Sequence, residues 1–143
     1  MELMTQEQVK LVKQSWRIFM GIGAAIVGDL FYSKLFAENP SLKKMFPANM
    51  EGQHKKLVDM LSAIILRLDN MEKLTDDIAA MAQRHVGYAV RPAHYKLVGS
   101  ALLWTLEKGL GKDWNEAMKA AWKTCYNILA DTMIKVSSDN ITL

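Results

Sequence analysis

The 143 residues suit one domain, with 50% hydrophobic and 23% charged residues, which excludes a disordered chain. The net charge of +3 comes from lysines scattered among acids, with no basic run interleaved with aromatics, so nucleic acid is not an expected partner. Cys125 is the only cysteine, so no internal disulfide can form, and a small buried side chain is the expectation there. No apolar run is long enough to span a bilayer and the N-terminus MELMTQEQ lacks a leader pattern, so a cytoplasmic protein with no membrane partner is expected. The Asn140-Ile141-Thr142 sequon is read as chance, and no repeat or glycine-rich phosphate loop occurs.

Taken in order, the chain reads as helices throughout. Thr5 and Gln8 have capping-box spacing, and Val9, Val12, Trp16 and Phe19 then repeat at helical spacing to a break at Gly21 and Gly23. From about Ala24 to Phe36, Ile26, Leu30, Phe31, Tyr32, Leu35 and Phe36 predict a broad apolar face with one phenol pointing inward. Asn39-Pro40 ends that helix and opens a short one to about Phe46-Pro47. Between about Glu51 and Leu68, Lys55, Lys56, Asp59, Ser62 and Arg67 define a wet face, with Leu57, Leu61 and Leu68 opposite. Gln53 and His54 flank the dry face on its two sides, and periodicity does not choose between them.

A weaker helix, capped by Thr75, carries Ile78, Met81, Ala82 and His85 on one stripe. An inward imidazole there is a metal ligand or simply a buried residue. Pro92 opens a long helix with Tyr95, Val98, Leu102 and Leu106 on one face, ended by Gly109 and Gly111. Asp113 with Glu116 predicts a second capping box and a last helix to about Val136, with Ala121, Cys125, Ile128, Leu129 and Met133 inside. Six to eight helices, no strand signal and an inward histidine describe an all-α fold with a pocket, in one domain over residues 1–143.

The segments LFYSKLFAENPSLKKMF (30–46), QHKKLVDML (53–61), QRHVGYAVRPAHYKLVG (83–99) and KAAWKTCYNILAD (119–131) resemble the globin family in order and spacing. The likeness is greatest to single-domain bacterial haemoglobins and the globin half of flavohaemoglobins. It implies a globin fold around haem b (iron protoporphyrin IX), with His85 as the proximal iron ligand. Tyr32, Gln53 and Leu57 match the distal ligand-binding trio, in which the phenol donates a hydrogen bond to bound oxygen. A shift of one residue would place His54 at the distal position instead.

The resemblance further implies that Phe46 packs on the porphyrin and that Leu61, Met81, Val90, Val98 and Leu102 contribute to its walls. Arg84 is the candidate for a propionate, with His94 a lesser one. Tyr95 matches a tyrosine that flavohaemoglobins pair with a glutamate to polarise the proximal histidine. That glutamate's expected position falls near Ser137, so the push on the iron should be weaker.

Oxygen, carbon monoxide and nitric oxide are the implied ligands, and high oxygen affinity with slow release is the expected behaviour. Nitric oxide dioxygenase activity is the alternative. No flavin or nicotinamide domain is expected beyond Leu143, so that turnover is expected to need a separate reductase. A haem sensor acting through a partner and a cofactor-free helical module are the remaining readings, the last disfavoured by the matched residues.

Overall fold

The computed structural model describes residues 4–46, 50–68, 76, 78, 80 and 92–141, with side chains at all of these but 24, 51, 92 and 135–141. Helix α1 (Gln6–Met20) starts where Thr5 and Gln8 cap one another, the Thr5 hydroxyl accepting from the Gln8 amide at 3.1 Å. It stops before Gly23, whose φ of +113° is open to glycine and strained for other residues. Helix α2 (Ala24–Glu38) follows, then a 3₁₀ turn (Pro40–Met45) with proline in its first turn. Helix α3 (Glu51–Leu66), helix α4 (Pro92–Leu110), a 3₁₀ turn (Gly111–Asp113) and helix α5 (Glu116–Ile141) complete the named elements. Among the described residues no strand occurs and no single helix is long and apolar enough to cross a membrane.

Helix α2 packs on α3 and α4, while α1 packs mainly on α5 and more lightly on α4. The core joins Val12, Trp16 and Phe19 of α1 to Leu106 of α4 and Trp122 of α5. Polar pins set the register between helices. Trp122 Nε1 donates to the Ser15 hydroxyl at 2.8 Å, and Trp16 Nε1 donates to Ser62 at 3.1 Å. Each satisfies an indole N–H that burial would otherwise leave unpaired.

Several local expectations are corrected. Ile26 is 54% exposed, and its neighbour Val27 takes the buried position on α2. Ser62 is half-buried because it accepts from Trp16, so it leaves the wet face. Gly109 lies inside α4, where a Cβ would meet the Phe19 ring at 2.4 Å; it permits a close crossing and does not end the helix. The break falls at Gly111, with φ of +54°. The last helix is capped by Asn115, whose Oδ1 accepts from the Met118 amide at 2.9 Å, because Asp113 is taken up in the 3₁₀ turn. That helix also runs beyond Val136, to Ile141. The expected helix from Thr75 to His85 lies largely outside the described residues, with helical backbone at Asp76, Ile78 and Ala80.

Candidate haem pocket

Between α2, α3, α4 and α5 lies a cavity of about 700 Å³, within the roughly 300–1,000 Å³ range of small-molecule and cofactor sites. Phe31, Tyr32 and Leu35 enter it from α2, and Leu42, Met45 and Phe46 from the turn that follows. Helix α3 adds Gln53, Leu57, Met60 and Leu61, with Lys56 and Asp59 also reaching its wall. The far walls are His94, Tyr95, Val98 and Leu102 of α4 and Tyr126, Leu129 and Met133 of α5. A largely apolar chamber with a few placed polar groups is the lining common to small-molecule and cofactor sites.

The polar centre is a pair. Gln53 Nε2 donates to the Tyr32 hydroxyl at 3.3 Å, joining α3 to α2. Tyr32 is 5% exposed, and burial raises its phenol above the ordinary value while the Gln53 bond opposes the rise. The phenol is therefore neutral at physiological pH and keeps its proton. Aromatic rings surround it: Phe31 edge-on at 4.9 Å, Phe46 edge-on at 5.4 Å, and Phe36 tilted at 5.8 Å.

Gln53 and His54 divide their roles. Gln53 lines the cavity, whereas the His54 ring stacks on Tyr32 at 5.4 Å with 17° between planes. The two positions lie about 100° apart on the helix. Both therefore face α2, one offering an amide to the phenol oxygen and the other a flat ring to the phenol face.

Tyr32, Phe46, Gln53, Leu57, Leu61, Tyr95, Val98 and Leu102 are thus brought to one cavity. His94 also reaches its wall. His85, Met81, Arg84 and Val90 lie outside the described residues, as does the side chain of Ser137. The sequence reasoning missed Tyr126, whose hydroxyl donates to the Tyr95 carbonyl. Its spacing from Leu129 and Met133 carried the signal, since i, i+3 and i+7 share a helix face. It also missed Lys56 as a wall residue: the side chain is exposed yet reaches the cavity, as a long stem with a wet head can.

The Globin family model matches residues 29–133, and the chain belongs to the globin family. An uncharacterised globin-like protein of Aquifex aeolicus is 31% identical over 92% of this chain and 93% of its own length. A flavohemoprotein of Vibrio cholerae is 28% identical over 92% of this chain, which spans only 34% of that protein. Among solved structures, an engineered carbene transferase made from a candidate nitric oxide dioxygenase of Rhodothermus marinus superposes with a TM-score of 0.85. That match is at 26% identity and covers 97% of this chain and 96% of the other.

Proposed function

We propose that this globin binds haem b in the cavity and uses it to hold oxygen with high affinity. The observation that carries the reading is the Gln53–Tyr32 hydrogen bond at the wall of an apolar cavity of cofactor size. Phe46, Leu57, Leu61, Val98 and Leu102 would enclose the ring, and His85 would ligate the iron. Bound there, haem supplies a ferrous iron that takes a diatomic gas reversibly.

The protein's own contribution is electrostatic. Oxygen takes on negative charge when it binds, so fixed donors in a dry chamber stabilise it more than water would. The bond from Gln53 occupies a lone pair of the Tyr32 oxygen and leaves the phenol proton to be donated into the cavity. The second Nε2 hydrogen of Gln53 is a further donor beside it. Carbon monoxide takes on less charge and gains less from either.

A second reading, nitric oxide dioxygenase, draws on the likeness to the flavohemoprotein and the candidate nitric oxide dioxygenase. One nitric oxide, one oxygen and one electron make one nitrate, so sustained turnover needs a reductase. The same two donors would hold the oxygen.

Titration of the purified chain with haem tests the cofactor: a Soret band saturating at one equivalent, shifting reversibly with oxygen and with carbon monoxide, is expected. Failure to develop that band overturns the reading. Steady-state consumption of nitric oxide with a reductase present, beyond a single turnover, would favour the enzyme over the carrier.

A further inference from the structure

His54 is one residue from Gln53, does not line the cavity, and stacks on the phenol that does. Three observations show that this stack is built into the fold. The first is its geometry, centroids 5.4 Å apart and planes 17° from parallel, which is the offset arrangement favoured between π systems. Phe31 and Phe46 meet the same phenol edge-on, so His54 is the ring lying flattest against it among those packed there.

The second is what lies behind the histidine. A Cβ at Gly28 would fall 2.6 Å from His54 Cβ and 2.9 Å from its Cγ, so α2 and α3 make their close approach on this side chain. Gly28 and Tyr32 are four residues apart on α2, one turn above the other on the same face. The base of the imidazole is thus seated on α2 at Gly28 while its ring covers Tyr32 one turn on. The third is the Gln53 bond, which holds the phenol oxygen from the same turn of α3. One turn of α3 therefore fixes the oxygen of Tyr32 with an amide and its plane with an imidazole.

We propose that His54 is a positioning residue, seated on Gly28, that sets the plane of the Tyr32 ring and so the direction in which the phenol proton points into the cavity. The inference rests on the reading of Tyr32 as a donor to the bound gas, and it assigns His54 no contact with that gas. Without the imidazole the ring can rotate about its Cβ–Cγ bond and its donor is spread over a wider arc. With a phenyl ring in its place the flat contact is retained.

The test is an oxygen dissociation rate on the haem-loaded protein for His54→Ala, His54→Phe, Tyr32→Phe and the combination of His54→Ala with Tyr32→Phe. His54→Ala is expected to speed release about 3- to 10-fold, the size of one lost aromatic pair. His54→Phe should restore most of the loss, and His54→Ala should add nothing once Tyr32 is phenylalanine. Gly28→Ala, which leaves every polar group of the site in place, should speed release in the same direction by pushing the imidazole off its seat.

A readout independent of gas binding comes from nuclear magnetic resonance of isotope-labelled tyrosine. The ring signal assigned by Tyr32→Phe should shift and sharpen toward a faster-flipping ring in His54→Ala, and return in His54→Phe. Tyr32→Phe speeding release while His54→Ala leaves both rate and ring signal unchanged overturns the role of His54 alone. An effect of His54→Ala that persists in full beside Tyr32→Phe overturns it too. Release unaffected by Tyr32→Phe overturns the donor reading and the positioning role with it.

Discussion

The hydrogen bond from Gln53 to Tyr32 runs in the direction that spares the phenol proton, and burial keeps that proton in place. Burial acts likewise elsewhere in the molecule. The Cys125 thiol is pushed from 9.0 up to about 12, and the Tyr126 phenol is raised by burial and by its proximity to Tyr95. In the unfolded chain these groups ionise at their ordinary values, so above pH 9.0 the unfolded state loses protons that the folded state keeps. The stability they confer is complete below that pH and declines as pH rises toward about 12. Urea midpoints measured across this window should fall, and Cys125→Ala should flatten the part that begins near pH 9.0. The same burial predicts that Cys125 resists alkylation in the folded protein and reacts once it is unfolded.

At the scale of helices, close crossings position the site. Gly99 lets α4 approach α5 so that a Cβ there would meet the Tyr126 ring at 2.6 Å. Tyr126 in turn donates to the Tyr95 carbonyl, tying the two walls of the cavity. Gly99→Ala should destabilise the fold by about 1–3 kcal/mol through overpacking, seen as a lower thermal midpoint. Asn115→Ala should cost about 0.5–2 kcal/mol by removing the cap of α5, whereas Asp113→Ala should cost much less.

The two caps show what sequence could and could not supply. Thr5-Gln8 and Asp113-Glu116 have the same spacing, and only the first closes a box. The second was overruled by Gly111, whose left-handed backbone begins a 3₁₀ turn and delays the helix until Asn115 can cap it. Gly109 misled for a related reason: glycine marks a helix end and a close helix crossing alike, and the Phe19 ring that distinguishes them is distant in sequence.

For the molecule as a whole, the all-helical order and the bounds of α2, α3 and α4 could be read to within about two residues, because apolar periodicity and proline placement act locally. The cavity was legible only in part. Tyr32, Phe46, Leu57, Val98 and Leu102 meet there, drawn from segments that sequence order alone does not bring together. Periodicity could not separate Gln53 from His54, since adjacent positions both face α2 and the difference lies in which part of Tyr32 each one meets, the hydroxyl or the ring face. The place of Tyr126 on the cavity face was in its spacing, but its bond was not, because the partner is a carbonyl on another helix.

The central claim is that Tyr32 and Gln53 hold oxygen in the cavity, and the oxygen dissociation rate of the haem-loaded protein measures it directly. Each donor is worth roughly 1.5–3 kcal/mol toward a charged acceptor, so Tyr32→Phe with Gln53→Leu should speed release by about 100-fold or more. Carbon monoxide release should change only a few-fold. Oxygen leaving the double variant as slowly as it leaves the parent would contradict the account.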